Sequence, residues 1–232
     1  MNMLLNSVES SRVQPKTKML SFGNTKLKKD GIWTFTIEAG KRNCHDAKEC
    51  AKFCFGKRGN FSFEKVKEKH IDNGDRARAK GFVKDMDLEI KFYRPKFLRI
   101  HAVGEFFSTS YILKWFQLME QNPDVLFYAY TLAHKKFSYV SKMVGMFPKN
   151  FVIIQSDGGH SDAFIDDYSH STDTMSRRKI LNKEEYLKLL SGEKYQDGYD
   201  ATFSDLKAVK AAVDGVKVYL LDTKYKKSFK NK

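Results

Sequence analysis

Ile32-Trp33-Thr34-Phe35-Thr36-Ile37, closed by Gly40, runs almost directly into Cys44-His45-Asp46-Ala47-Lys48-Glu49-Cys50-Ala51-Lys52-Phe53-Cys54. The first half alternates β-branched and aromatic residues with a period of two and reads as a strand, which Gly40 ends. The second half holds all three cysteines of the 232-residue chain within eleven positions. A loop leaving the C-terminal end of a strand is where βα architectures place their chemistry. This junction therefore sets both the fold to expect and the place to look for function.

Three thiolates do not close a structural zinc site, so the fourth ligand decides the chemistry. With His45 the set is Cys3His zinc, although adjacent ligands are awkward for one tetrahedral ion. With a ligand from outside the protein, three cysteines hold three irons of a [4Fe–4S] cluster and leave one iron open. Two of the three thiols forming a redox pair is another option, but CxxxC lacks the CxxC of thiol–disulfide enzymes. The bland alternative is three unrelated buried thiols.

Outward from this junction the pattern repeats. Ser62 is placed to cap a helix with Phe63, Val66 and His70 on one face, and Asn73-Gly74 separates it from a second helix carrying Phe82, Met86 and Ile90 until Pro95 stops it. Phe97 to Val103 reads as the next strand, and strict alternation puts Arg99, His101 and Glu105 on one face and Ile100 and Ala102 on the other. His101 is then either a pocket residue or a hydrogen-bonded core histidine. A helix begins at Ser108 or Ser110, Val125 to Leu132 is a strand apolar enough to be buried on both sides, and a further helix surrounds Ser138–Met146. Phe151 to Ile154 is a strand ending in Gln155-Ser156-Asp157-Gly158-Gly159. The polar run His160 to Asp173 offers His160, Asp162, Asp166, Asp167 and His170 without a recognised metal spacing, and reads as a loop beside the strand ends. Arg177-Arg178-Lys179 is either a phosphate grip or a solvated run. Asn182 with Glu185 opens a short helix through Leu190, Phe203 to Val213 is another, and Val216 to Leu221 a last strand.

Alternating strands and helices predict an α/β fold with a mostly parallel sheet, because parallel neighbours need crossover connections. Five or six βα units fit the length, so the expectation is a partial, TIM-like (β/α)5-6 barrel open at one side. A basic segment over 1–30, one domain over 31–222 and a tail over 223–232 with five lysines complete the division.

The composition, 41% hydrophobic with four prolines, excludes a disordered chain. No apolar run is long enough for a membrane span or signal peptide, and an odd number of cysteines suits a reducing compartment, so a cytoplasmic protein is expected. The net charge of +14 favours phosphate-bearing partners, a nucleic acid or nucleotide, against the plain alternative of a lysine-rich solvated surface.

Asn43-Cys44 and Glu49 to Phe55, together with Arg99-Ile100-His101-Ala102-Val103-Gly104-Glu105-Phe106-Phe107 and Pro123 to Thr131, resemble the phage gene-product-88 family, itself similar to radical S-adenosylmethionine (SAM) enzymes. The resemblance covers roughly residues 20–160. It implies a [4Fe–4S] cluster on Cys44, Cys50 and Cys54, spaced Cx5Cx3C where CxxxCxxC is common in radical SAM enzymes. It also implies SAM bound at the open iron, with Phe53 near the adenine and Gly104 and Glu105 holding the amino group. Val103 stands where the similar glycine–glycine–glutamate motif has its first glycine. Ser156 and Asp157 match by position the strand end that meets SAM, and Arg99, His101, Tyr128 and Tyr130 would line a substrate space. The implied activity is hydrogen abstraction by a deoxyadenosyl radical, with an electron donor as partner. A different class of reading is a basic nucleic-acid-binding protein in which zinc or a cluster is only a structural staple.

Overall fold

The computed structural model describes residues 14–52, 54–172, 175–180, 200–202, 205–214 and 218–222. They form a mixed α/β fold built on an eight-stranded sheet of order β1-β2-β3-β4-β5-β6-β8-β7. The strands are β1 (Ser21–Phe22), β2 (Ile32–Phe35), β3 (Phe97–Ile100), β4 (Leu126–Thr131), β5 (Phe151–Ser156), β6 (Met175–Ile180), β7 (Asp200–Thr202) and β8 (Val218–Asp222). Only β1, which pairs with β2, is antiparallel. The helices are α1 (Thr25–Lys29), α2 (Glu49–Lys52), α3 (Glu64–Arg78), α4 (Phe82–Tyr93), α5 (Thr109–Gln121), α6 (His134–Val144) and α7 (Asp205–Val213). Among the described residues no helix is long and apolar enough to cross a membrane.

Strand alternation sorts the core into two layers. Leu98, Ile100, Phe127, Ala129, Phe151 and Ile153 face Ala77 of α3, Phe82, Met86 and Ile90 of α4, Trp115 and Met119 of α5, and Phe137 and Val140 of α6. Ile32, Tyr128, Val152 and Ile154 face the other way, against Leu27 of α1 and Ala208, Val209 and Ala212 of α7. From β2 to β6 the chain steps along the sheet in one direction with α3 to α6 on one face. The β7–α7–β8 unit steps back, because β8 lies between β6 and β7. A right-handed crossover taken in the reverse direction must put its helix on the opposite face, which is where α7 lies. The class and the mostly parallel sheet are as expected. The sheet is not closed, and α7 packs on the face that would line a barrel.

Several boundaries moved for identifiable reasons. Asn73 and Gly74 do not break a helix but lie buried inside α3. The Asn73 amide donates to the carbonyls of Met19 (3.1 Å) and Thr36 (2.8 Å), and a Cβ on Gly74 would stand 2.4 Å from a Glu38 carboxylate oxygen. Ser62 donates to the Gly59 carbonyl and caps nothing, whereas Ser108 caps α5 by accepting from the Tyr111 amide at 3.2 Å. Arg177-Arg178-Lys179, read as a phosphate grip or a solvated run, lies within β6. The helix expected from Asn182 lies outside the described residues.

Part of the stretch read as a basic N-terminal segment joins the same core. Met19 and Leu20 are buried, and the Glu89 carboxylate of α4 accepts from the Thr17 hydroxyl (2.7 Å) and the Met19 and Leu20 amides (2.7 and 2.8 Å). Lys69 donates to the Leu20 carbonyl and the Ser21 hydroxyl.

Candidate functional site

After β2 the chain turns at Gly40, whose carbonyl accepts from the Asn43 amide (3.1 Å) and the Cys44 amide (2.8 Å). Asn43 is fully buried: its side-chain nitrogen donates to the Glu38 carbonyl, and its oxygen accepts from Arg78 at 2.7 Å. Arg78 in turn lies over the Phe107 ring, 3.9 Å from its centre. Helix α3 thus fixes the point at which Cys44 enters. Beyond it the loop is stitched to the segment following β5. Ala47 bridges Gly159, the Glu49 amide donates to the Gly158 carbonyl (2.9 Å), and the His160 amide to the Asp46 carbonyl (2.8 Å). The Asp46 carboxylate accepts from Lys136 and Ser161. Asp162, one of the candidate ligands in the polar run, instead caps the Gly158 and Gly159 amides at 2.8 and 2.9 Å, while Asp167 accepts from Ser138.

Cys44 and Cys54 are half-buried, Cys50 is exposed on the single turn of α2, and all three are free thiols. Burial pushes the Cys44 thiol up to about 12; the Gly40 backbone partly offsets this, and the charges of Glu105, Cys50 and Cys54 add to it. Cys50 is raised as well. Although its surface meets solvent, desolvation is the first cause, followed by Cys54 and Glu105, while Arg178 opposes. The three sulfurs and Glu105 therefore share one electrostatic neighbourhood. Thiols held protonated at neutral pH are poor nucleophiles, which argues against thiol–disulfide chemistry. Among the described residues, however, no three His, Cys, Asp or Glu groups stand close enough to hold a metal ion, and His45 is exposed.

Glu105 follows β3 and joins its end to that of β4. Its Oε1 accepts from the Phe106 amide (2.8 Å) and the Thr131 hydroxyl (2.8 Å), and its Oε2 from the Leu132 amide (2.7 Å). Burial nevertheless raises its carboxyl to about 7, the hydrogen bonds from Leu132, Phe106 and Thr131 pulling the other way and Asp46 adding to the rise. Gly104 has φ +92°, and a Cβ there would meet Ile37 at 2.3 Å, so close packing alone requires glycine. Val103 packs on the cysteine loop, where a Cβ on Gly56 would come within 2.4 Å of it.

The four residues expected to line a substrate space separate into two groups. His101 has φ +61°, and this left-handed residue breaks the alternation on which the shared face depended. Its ring enters the helix-covered core between Phe35 and Phe106, with Nε2 2.9 Å from the Tyr111 hydroxyl. Burial lowers its pKa to about 3. Arg99 stays on the opposite face, its guanidinium 4.5 Å from the Tyr130 ring centre, and Arg178 approaches the same ring at 5.7 Å. Tyr128 is buried there in the layer that includes α7. At the end of β5, Ser156 is buried, and its hydroxyl has no hydrogen-bond partner among the described residues, while Asp157 is exposed. Phe53 lies outside the described residues.

Sequence reasoning missed His134, Thr131, Asp46, Lys136 and Ser161. His134 Nε2 bonds the Ser156 carbonyl at 2.9 Å and so must carry the proton there, leaving Nδ1 to accept from the Tyr168 hydroxyl (2.9 Å). None of these carried a local signal, because each is defined by a partner more than twenty positions away.

The fold and site define a class: an open, mostly parallel α/β scaffold with a three-thiol loop where its first parallel strand ends. The family model described as Gene product 88 matches residues 17–217, and the chain belongs to that family. Over 50 residues it is 48% identical to the Gene 88 protein of Mycobacterium phage L5, and over 50 residues 46% identical to that of Mycobacterium phage D29. Each alignment covers 22% of this chain and 20% of the phage protein, so the match spans about a fifth of those relatives' length. No solved structure matches the chain.

Proposed function

We propose that this is an iron–sulfur protein of radical SAM type, with Cys44, Cys50 and Cys54 as ligands to a [4Fe–4S] cluster and a nucleic acid or nucleotide as substrate. The observation that carries the reading is the placement of Cys44, Cys50 and Cys54 on one loop leaving the end of β2, where Cys44 is raised first by burial and then by the charges of Glu105 and the other two thiols. Ionising them together without a cation is unfavourable, and metal binding is the chemistry that relieves it while displacing their protons. The donor set fits the group in kind, three thiolates on one loop, while among the described residues the sulfurs do not stand close enough as they are to share it. Loading requires the exposed turn that carries Cys50 to draw the sulfurs together. With SAM bound, such a cluster supplies one-electron cleavage of SAM and hydrogen abstraction, given an electron donor.

Other features support the same reading. Strands β2 to β6 follow one another in chain order in an open sheet with α3 to α6 on one face, a winding compatible with this reading. Glu105 uses three of about four acceptor directions of a carboxylate, leaving one for the SAM amino group beside Gly104. The buried Ser156 hydroxyl at the end of β5 is a ready donor to a ligand there.

Anaerobic purification followed by iron, acid-labile sulfide and zinc analysis tests the proposal. About four irons and four sulfides per chain, lost in Cys50→Ala, are expected. About one zinc per chain would instead make the loop a structural staple, and a metal content unmoved by Cys50→Ala would remove the cysteines from the site.

A further inference from the structure

Immediately after Cys54 the chain presents phenylalanines that the core does not take up. Phe55 and Phe63 are 53% and 62% exposed, and Phe61 lies edge-on to Phe55 with ring centres 5.7 Å apart. Two 3-10 turns, Phe55–Lys57 and Gly59–Ser62, hold Phe55 and Phe61, Phe63 follows the second turn at the start of α3, and Gly56 packs against Val103 at the end of β3 beside Gly104 and Glu105. Scattered exposed apolar residues are ordinary, but three rings in nine positions against the candidate site are not.

The charges around them are one-sided. Residues 48–67 carry six Lys and Arg against two acids, and one of those acids, Glu49, pairs with Lys52. Lys48, Lys57, Arg58 and Lys65 are exposed and form no ion pair among the described residues.

We infer that this aromatic and basic rim, residues 55–65, is a binding surface for single-stranded nucleic acid. Every base has a face that an exposed ring can stack on, and cations between the rings follow the phosphates. A duplex keeps its base faces stacked inward, so rings on a short protruding loop engage unpaired nucleotides instead. As a surface that presents substrate, the rim rests on the reading of the cysteine site given above; as a binding surface, it is tested separately.

The test uses the full chain and labelled 20-nucleotide DNA and RNA strands, the matching duplexes, and anionic phospholipid vesicles. Either single strand should bind at least tenfold more tightly than its duplex. Phe55→Ala with Phe63→Ala, two exposed rings whose loss spares the core, should weaken single-strand binding tenfold or more while the salt dependence and circular dichroism stay unchanged. Lys57→Ala with Arg58→Ala should lower the slope of log affinity against log salt by about 1.4. Cys50→Ala should lose metal yet keep oligonucleotide affinity, which separates failure of the rim from failure of the metal site. Equal binding of duplex and single strand, a ring variant that binds as well as the parent, or binding to vesicles without binding to oligonucleotides would each overturn the inference.

Discussion

Two glutamates, Glu89 and Glu105, are buried with nearly the same hydrogen-bond chemistry. Each accepts from two backbone amides and one threonine hydroxyl. Their neighbours differ. Glu89 lies near Lys69, whose ammonium it helps keep charged against the lowering effect of burial. Burial raises the Glu105 carboxyl to about 7 despite the three donors, and the Asp46 charge adds to the rise. Hydrogen-bond count alone does not separate a structural carboxylate from a poised one. What surrounds it does: Glu105 is raised first by burial, with the Asp46 charge adding to it, whereas Glu89 has the Lys69 ammonium nearby.

The largest effect is expected on the structural side. Glu89→Ala strands the Met19 and Leu20 amides in the core and leaves Lys69 without its counter-charge, so the loss should be about 4 kcal/mol in urea unfolding. A loss under about 1 kcal/mol would mean that the segment preceding β1 contributes little to the body.

Glu105→Gln should reveal itself through pH rather than through a large loss at neutrality. A carboxyl raised from 4.5 to about 7 holds its proton more tightly folded than unfolded, so it favours the folded state below pH 4.5 and that stability is lost as pH rises through 7. The span corresponds to about 3 kcal/mol. His101, lowered to about 3, works the other way: the unfolded chain binds its proton below pH 6.5, and stability falls as pH drops toward 3. The two overlap in the parent curve. The difference between parent and Glu105→Gln isolates the carboxyl, and a flat difference from pH 4.5 to 7 would show that burial does not raise the Glu105 carboxyl.

The sequence made one of these glutamates visible and hid the other. Glu105 follows a strand and a glycine, whereas Glu89 is one acid in a helix whose apolar positions, Phe82, Met86 and Ile90, are read without it. Cysteine clustering and strand alternation located the site because both are local signals. What was lost depends on distant contact or on a single dihedral. One left-handed residue at His101 reversed the face of its side chain, and although histidine visits that region more often than most residues, it does so too rarely for the sequence to announce it. Asn73-Gly74 looks like a break because its reasons for being helical, the Thr36 carbonyl and the Glu38 carboxylate, lie more than thirty positions back. The open sheet was equally hidden, since it depends on β7 and β8 pairing out of chain order.

The smallest expected effects give the finest test, through the two threonines. Thr131 is 1% exposed, donates to Glu105 and also accepts from the Ala133 amide at 2.9 Å. Thr131→Val keeps the shape, breaks both bonds and leaves an amide unpaired, for about 2 kcal/mol. It also removes one of the bonds that hold the Glu105 carboxyl down, so the pH at which that stability is lost should move upward. Thr17 makes the corresponding bond to Glu89 from a half-exposed position where water can replace it. Thr17→Val should therefore cost about 0.5 kcal/mol. If the two substitutions cost the same and Thr131→Val leaves the profile where it is, the Thr131 bond has no hold on the Glu105 carboxyl, and the distinction between the glutamates reduces to where each sits in the chain.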